Sequence, residues 1–289
     1  MVTRALAELV KKIPDVDAKI VTTHEENAES MAPEDAFKYA KDNDSLFIVT
    51  WGPLAEKHIK LIRKNLPQAR ILYYAQSFGW NIAVPRGVPI ACVSRYVMAN
   101  WTRRAPENFC AYLPPPLSPN CKLENRPRDI GILLHKRKQN SYCLNELLPA
   151  LKKENFKIEI LDSWIPQEDF FALLNRSKMF LYITEQHRAG LFRKLPGEGF
   201  GLPALEAAVC GAVVGSNLSG GVTDFLTPGE NCIKLQNGDL DFDIAQIKKA
   251  LANFSVNEAA AADLAKAYSP EFVQKKWRDM LELSAHSGA

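Results

Sequence analysis

The stretch GEGFGLPALEAAVCGAVVGS, residues Gly197–Ser216, decides the fold. It begins with glycine at every second position, Gly197, Gly199 and Gly201, and Pro203 then precedes an apolar run. Proline suits the first turn of a helix, where its missing N–H would have no intrahelical acceptor. Glycine lets the backbone approach a ligand closely. We therefore expect an anion at this helix start, facing the free N–H groups of Phe200, Gly201 and Leu202.

The glycine spacing argues against two common phosphate sites. The dinucleotide fingerprint needs G-x-G-x-x-G directly after a strand, whereas this chain has G-x-G-x-G with Leu202 in the next position. A long segment also separates the glycines from the preceding strand, which is predicted to end near Thr184. The residue after the following strand is Asn217 and not a ribose-binding acid. A P-loop is excluded as well, because no Lys-Ser/Thr pair follows the glycines.

Two carboxylates flank the predicted phosphate. Glu198 lies just before the turn and Glu206 lies about one turn into the helix, a spacing of E-x7-E. Since a carboxylate repels a phosphate, each acid needs another partner, and sugar hydroxyls on either side of a diphosphate would supply it. A nucleotide-sugar has this arrangement of ribose, diphosphate and hexose. The alternative is an ordinary helix N-terminus, whose dipole favours acidic residues.

Short apolar, β-branched runs alternate with longer amphipathic ones along the chain, which is typical of parallel sheets covered by helices. A proline-rich stretch without periodicity interrupts the alternation and predicts a linker. We expect two doubly wound α/β domains facing a cleft, with a C-terminal helix that packs back on the first. The predicted segments are residues 1–118, the linker 119–128, residues 129–268 and the helix 269–289.

The composition is that of a globular protein, with 47% hydrophobic and 24% charged residues. Six scattered cysteines form no CxxC pair, which indicates reduced thiols in a cytoplasmic protein and no zinc site. No apolar run approaches a membrane span. A net charge of +3 does not favour nucleic acid. The basic segment 57–70 has two interpretations. It is either a solvated helix face, or a surface that weakly contacts a lipid-linked substrate or the inner face of an anionic membrane.

The stretch resembles the hallmark of the retaining glycosyltransferases of the GT-B fold (group 1, family four). That hallmark reads E-G-F-G-L-P-x-L-E-A-x-x-x-G-x-x-V-x-x-S followed by G-G, and this chain matches it from Glu198 to Ser216, then at Gly220 and Gly221. The resemblance covers about 25 residues closely and extends weakly over 125–289. It implies two Rossmann-like domains and a donor site in the second.

The resemblance also implies roles for individual residues. Glu206 would bind the donor ribose and Glu198 would face the donor sugar, while the N–H groups of residues 200–202 would hold the diphosphate. Further donor contacts are implied for Gly199, Gly220 and Gly221. Members of this family are usually metal-independent, so no metal or other cofactor is expected, and cationic side chains stabilise the leaving group.

The family places an arginine and a lysine in the loop after the first strand of the second domain, here HKRKQNSY. Arg137 takes the arginine position, but Tyr142 stands at the lysine position. Lys138 or Lys136 is therefore expected to replace that lysine. The usual acid of the G-G-x-x-E segment is Asp224, one methylene shorter.

The first domain departs from the family pattern. Val2–Leu6 already has helical spacing, so the first strand and its glycine-rich loop are expected to be missing. Gln76, Ser77 and Trp80 follow a strand and are candidates to bind an acceptor sugar. The segment 185–197 is either a flap that brings His187, Arg188 or Arg193 to the phosphates or a surface excursion. His24 follows a strand, where a lone histidine is usually incidental.

These observations predict a glycosyltransferase that moves a hexose from a nucleotide-sugar to a hydroxyl of a glycan, lipid-linked or other acceptor, as in polysaccharide biosynthesis. Two alternatives remain open. One is a nucleotide-sugar-binding protein that is non-catalytic or needs a partner to complete the first domain. The other is a GT-B-like sugar-nucleotide epimerase, which would convert its nucleotide-sugar without an acceptor.

Overall fold

A computed structural model describes residues 2–23, 30–50, 52–78, 81–184, 186–189 and 193–286. The chain forms two compact units. The first comprises residues 1–116 and 270–289, and the second comprises residues 117–269. Each unit contains a parallel sheet with helices between its strands, as the alternating pattern predicts. Within the described ranges, every helix is too short or too polar to cross a membrane.

The first unit is built on a four-stranded parallel sheet. Its elements follow in chain order: α1 (Val2–Val10), β1 (Ile20–Val21), β2 (Ser30–Met31), α2 (Pro33–Asp42), β3 (Leu46–Val49), α3 (Ala55–Asn65), β4 (Arg70–Ala75), β5 (Ile90–Cys92), α4 (Arg95–Arg104) and β6 (Cys110–Tyr112). The sheet has the order β3-β4-β5-β6, and β1 and β2 form a separate parallel pair. Strand β4 is buried along nearly its whole length, so the core of this unit lies around it.

The basic segment 57–70 spans helix α3, the turn after it and the first residue of β4, and part of its charge is neutralised locally. Lys60 Nζ lies 2.6 Å from Glu56 Oε1 one turn away. Arg63 donates to the carbonyl oxygen of Pro67. Arg70 pairs with Asp44 at 2.7 Å. A membrane contact of this surface stays a prediction.

The second unit contains a five-stranded parallel sheet. Its elements are β7 (Ile130–His135), α5 (Leu148–Lys152), β8 (Ile158–Leu161), α6 (Gln167–Arg176), β9 (Ser177–Tyr182), β10 (Gln186–Ala189), β11 (Arg193–Pro196), α7 (Leu202–Val209), β12 (Val213–Ser216), β13 (Cys232–Lys234), α8 (Leu240–Ala252) and α9 (Glu258–Ala267). A π-helical turn, Cys143–Leu147, leads into α5. The parallel sheet has the order β13-β12-β9-β7-β8.

Side chains alternate between the two faces of the central strand β9. Met179 and Leu181 pack with Ile132 and Leu134 of β7 in a fully buried cluster. Phe180 and Tyr182 point to the opposite face, where their rings stack with centroids 6.0 Å apart. Tyr182 is the last residue of β9 and is completely buried. This places an aromatic hydroxyl at the carboxyl end of the sheet.

The segment predicted as a linker, residues 119–128, packs on the second unit. The backbone N–H of Glu124 donates to Asn175 Oδ1 at 2.8 Å. Arg128 donates to three carbonyl oxygens, those of Leu174, Ser177 and Cys210. These hydrogen bonds hold an irregular segment without helix or strand against the second unit. Its composition alone is that of a flexible linker, because the contacts that hold it lie elsewhere in the sequence.

The segment 185–197 contains an antiparallel hairpin that the sequence did not predict. Strands β10 and β11 pair from Gln186 opposite Pro196 to Ala189 opposite Arg193. The side chains of His187, Arg188 and Arg193 lie outside the described part, so their predicted approach to a phosphate stays a prediction. The two remaining interpretations of this segment, flap or surface excursion, stay open.

The last helix, α10 (Pro270–His286), belongs to the first unit although it follows the second in sequence. Trp277 is fully buried and its ring meets Tyr74 of β4 edge-on, with centroids 5.2 Å apart. Gln274 donates to the carbonyl oxygen of Leu9 at the end of α1. Helix α10 therefore completes the core of the first unit.

Replacing the buried anchor of α10 tests this packing. We expect Trp277→Ala to lower the free energy of unfolding by about 3–5 kcal/mol, because it empties a large fully buried site. Phe272→Ala removes an aromatic ring from the same helix at a position that is 45% exposed, and it should cost under about 1 kcal/mol. Urea unfolding of both variants measures the difference. Equal losses would show that α10 is not anchored through Trp277.

Candidate functional site

The strand order of the second unit identifies the edge where a ligand would bind. Strand β8 lies on one side of β7 and the next strand, β9, lies on the other. Parallel α/β sheets bind ligands outside the carboxyl ends of their strands, where the strand order reverses in this way. The turn Lys136–Lys138 follows β7, and the chain beyond β9 leads to the glycine turn 197–201. Both predicted site segments therefore start from this edge.

The glycine turn begins helix α7 as predicted. Gly201 is the N-cap residue with a φ of 93°, in the left-handed region. A Cβ atom there would lie 2.4 Å from Val222 Cγ1, so the position admits only glycine. Within the described chain, the N–H groups of Phe200, Gly201 and Leu202 donate no hydrogen bond. The start of α7 therefore offers unpaired amides to an anion.

The glycine pair Gly220–Gly221 packs directly against the backbone of this turn. Gly221 N–H donates to the carbonyl oxygen of Glu198 at 3.0 Å. A Cβ atom at Gly220 would lie 2.2 Å from that same oxygen, and one at Gly221 would lie 2.1 Å from the carbonyl oxygen of Gly199. The missing side chains thus let the two backbones touch. The structure gives this pair a role in placing Glu198, and its predicted contact with a donor stays a prediction.

Glu198 is held through one carboxylate oxygen. The hydroxyl of Tyr182 donates to Glu198 Oε2, and Lys138 Nζ lies 3.6 Å from the same oxygen. The Glu198 side chain keeps 19% of its surface exposed, so a ligand can reach the carboxylate. The structure thus brings Glu198 and Lys138 together, as a catalytic pair would require.

Glu206 lies in a different environment, inside a helix that is buried on all sides. Only 4% of the residue is exposed, and Gln167 Nε2 donates to its Oε1 at 3.2 Å. Burial raises the pKa of Glu206 to about 7, and the bond from Gln167 offsets only part of that effect. A buried carboxyl group with so perturbed a pKa costs stability, which is typical of functional positions.

The three basic residues of the turn after β7 point to different surroundings. Lys136 is exposed and lies 3.3 Å from Asp162. Arg137 is exposed and makes no ion pair within the described residues. Lys138 reaches Glu198, so of the two candidates for the missing family lysine it is the one beside the glycine turn. Tyr142, which stands at the family position of that lysine, is buried and donates to Asp243 in the core.

Several polar side-chain atoms near the same sheet edge are buried without a partner among the described residues. They are both ring nitrogens of His135 at the end of β7, Thr184 Oγ1 just after β9, and Asn217 Oδ1 and Ser219 Oγ after β12. The other polar atom of the Asn217 amide, Nδ2, donates to the carbonyl oxygen of Thr184. Unsatisfied buried groups are costly, so their concentration here is expected of a site that a polar ligand completes.

His135 also contacts an exposed aromatic ring. Trp164, in the loop after β8, is 56% exposed, and its ring centroid lies 4.3 Å from that of His135. Burial and the nearby Lys138 and Arg137 lower the pKa of His135, so the neutral imidazole is favoured. Sequence reasoning missed both residues, although Trp164 lies shortly after the end of β8, at the ligand-binding edge of the sheet.

Tyr182 and Gln167 were also missed. Tyr182 has the alternating pattern of a core strand, which hides a functional hydroxyl, and Gln167 resembles any polar residue at a helix start. Their contacts with Glu198 and Glu206 depend on strand register and helix packing. Nothing in the local sequence marks them.

The acceptor candidates lie in the first unit. Gln76 and Ser77 follow β4, and Gln76 Nε2 and Ser77 Oγ are buried without a partner in the described chain. Trp80 and His24 lie outside the described residues. The acceptor role of these residues stays a prediction. In the described ranges, no three His, Cys, Asp or Glu side chains come together as metal ligands would.

Residues 145–278 match the family model described as "Glycosyl transferase-like". A search of the curated proteins found no match. Among solved structures, the chain is similar to sucrose-phosphate synthase from Thermosynechococcus elongatus, with a TM-score of 0.61 and 13% identity. That match covers 93% of this chain and 86% of the other.

Two further solved structures contain nucleotide and sugar. Anabaena HepE, in complex with UDP and glucose, has a TM-score of 0.63 and 10% identity, covering 86% of this chain and 80% of that one. The pneumococcal O-GlcNAc transferase GtfA, in complex with UDP and GlcNAc, has a TM-score of 0.60 and 11% identity. The match with GtfA covers 87% of this chain but spans only 59% of GtfA. The predicted GT-B fold is thereby confirmed, and the glycosyltransferase-like family model matches residues 145–278 of the chain.

The raised pKa of Glu206 predicts how stability changes with pH. Between about pH 4.5 and 7 the unfolded chain releases the proton of this carboxyl group while the folded chain keeps it, so wild-type stability falls as pH rises. Glu206→Gln does not titrate. We therefore expect the free energy of unfolding of Glu206→Gln, relative to that of the wild type, to increase as pH rises through this range. The full increase should be roughly 3 kcal/mol. Urea unfolding from pH 4 to 8 measures the difference, and parallel curves would contradict a buried, protonated Glu206.

The contact between the glycine segments predicts a large effect of one methyl group. Gly221→Ala would press a Cβ atom into the backbone of Gly199, so we expect the turn to move and stability to fall by more than about 2 kcal/mol. Gly229→Ala is the control, because its Cβ meets nothing within 4 Å and only its positive φ is strained, at about 1 kcal/mol. Thermal unfolding of both variants measures the loss of stability. A smaller loss in Gly221→Ala than in Gly229→Ala would refute the packing argument.

Proposed function

We propose that the chain is a retaining glycosyltransferase that transfers a sugar from a nucleoside-diphosphate-sugar to a hydroxyl of a glycan, lipid-linked or other acceptor. One observation carries this proposal: two glutamates flank the unpaired amides at the start of α7, and each lies in its own environment. Amides suit a diphosphate, and carboxylates suit the hydroxyls of a sugar on either side of it.

In this proposal the N–H groups of Phe200, Gly201 and Leu202 bind the diphosphate, Glu206 accepts from the ribose hydroxyls and Glu198 faces the donor sugar. The bond between the anomeric carbon and the diphosphate breaks, and the acceptor oxygen bonds to that carbon on the same face. The acceptor proton leaves with the nucleoside diphosphate. The preorganised amides, together with Lys138 and Arg137, stabilise the charge that develops on the leaving phosphate. We propose that these groups act without a metal ion.

Two similar structures support this donor class. HepE was solved in complex with UDP and glucose, and GtfA in complex with UDP and GlcNAc. We propose that the enzyme is cytoplasmic and that α3 makes a weak contact with the inner face of the membrane. The basic residues that α3 carries support this contact: Lys57, Lys60, Arg63 and Lys64.

Replacing the carboxylate that faces the donor sugar tests the proposal. Glu198→Gln keeps the shape of the side chain, and we expect it to lower the rate of sugar transfer roughly 10²–10³-fold while nucleoside-diphosphate affinity stays within about threefold. Glu230→Gln, at an exposed site of the same unit, should leave both unchanged. A thermal-shift panel of UDP-, GDP- and ADP-sugars first identifies the donor, and proton NMR of the product gives its anomeric configuration.

Each other outcome of this experiment would contradict the proposal. A wild type that binds a nucleotide-sugar but never consumes it is a binding protein. A wild type that converts the sugar nucleotide without an acceptor is an epimerase. An inverted product would exclude the retaining reaction, and full activity of Glu198→Gln would remove Glu198 from the site.

A further inference from the structure

Tyr182 contacts Glu198 from the end of the central strand of the second unit. Its ring is fully buried at the end of the central strand β9, where Tyr182 pairs in register with Ser216 of β12. A Cβ atom at Gly201 would lie 3.5 Å from Tyr182 Cε1, so the ring also lies against the glycine turn. A side chain fixed in this way has little freedom to turn its hydroxyl elsewhere.

The hydroxyl of Tyr182 must act as a donor at neutral pH. Burial and the neighbouring Glu198 carboxylate raise the Tyr182 pKa well above its usual range, so the phenol keeps its proton. That proton is donated to Glu198 Oε2, the oxygen that Lys138 also approaches. Oε2 therefore accepts from Tyr182 and lies beside the Lys138 ammonium group. Oε1 accepts no hydrogen bond from the described residues and can accept from a ligand.

We propose that Tyr182 is a positioning residue for Glu198, which holds Oε2 and thereby directs Oε1 at the hydroxyls of the donor sugar. This inference rests on the function proposed above. It differs from the family resemblance, which assigns a role to Glu198 and none to the strand residue behind it. The distinction between the two oxygens is a property of this structure.

The physical advantage lies in where the two residues are anchored. Glu198 is carried by a turn, whereas Tyr182 is carried by a strand in the middle of a five-stranded sheet. A binding group is placed accurately when packed residues hold its rotamer. Without the hydroxyl, the Glu198 carboxylate would keep, among its contacts with the described residues, the ion pair of Oε2 with Lys138. The carboxylate would then sample several orientations, and its contact with the sugar would weaken.

Tyr182→Phe removes the hydroxyl and keeps the ring. We expect the variant to bind the free nucleoside diphosphate within about threefold of the wild type. The ratio of its affinity for the nucleotide-sugar to its affinity for the free nucleoside diphosphate should fall roughly tenfold. Calorimetric titration with both ligands measures this affinity ratio, and steady-state kinetics should show a lower kcat. A purely structural role would weaken the binding of both ligands alike.

Tyr142→Phe is a matched control, because Tyr142 is another buried tyrosine of the same unit that donates to a carboxylate, Asp243, at 2.9 Å. It should lose comparable stability without changing the ratio. In a Glu198→Gln background, Tyr182→Phe should change the ratio no further, since its effect passes through that carboxylate. Additive effects of the two substitutions would overturn the inference.

The outcomes separate this inference from the proposed function. A wild type that binds no nucleotide-sugar defeats the proposed function itself. A wild type that binds one, together with a Tyr182→Phe variant that keeps the full ratio, overturns only the positioning role. If Tyr182→Phe does not fold, a crystal structure of the wild type with its nucleotide-sugar decides. Sugar hydroxyls on Oε1 with Tyr182 on Oε2 support the inference, and any other pairing of Glu198 contradicts it.

Discussion

The candidate site depends on one close backbone contact, between the turn that carries Glu198 and the glycine pair 220–221. The hydrogen bond from Gly221 to the Glu198 carbonyl forms because Gly220 and Gly221 have no Cβ atoms to collide with the backbone of the turn. With the turn fixed there, Gly201 takes its left-handed conformation and α7 starts. The amides at that start are unpaired because the first N–H groups of a helix have no intrahelical acceptor. The steric fit of the glycine pair therefore fixes the turn, and the position of the unpaired amides depends on that fit.

The two glutamates show how environment separates residues of one type. Glu198 lies beside a cation and a phenol and remains partly exposed, whereas Glu206 is enclosed by apolar neighbours of α7 and has a pKa of about 7. The free protein thus carries the cost of a buried carboxyl group. A ligand that hydrogen-bonds to Glu206 would offset that cost. This is the relation expected between a strained site and its substrate.

The sequence predicts well what depends on neighbouring residues. The alternation of apolar runs predicts both parallel sheets, and the glycines with Pro203 predict the start of α7. It predicts poorly what depends on distant packing. Residues 119–128 have the composition of a linker, yet Arg128 anchors them through carbonyls of Leu174, Ser177 and Cys210. Tyr182 has the pattern of a core residue, and only its register next to β12 brings its hydroxyl to the turn.

The position of helix α10 has a consequence for the order of events on the ribosome. The second unit is continuous in sequence, so every strand of its sheet is synthesised before α10. The first unit lacks Trp277 until the ribosome has passed the second, and Tyr74 stays uncovered in the meantime. Domains generally fold as units during synthesis. Here the N-terminal unit cannot complete its core until the whole of the second unit has been synthesised.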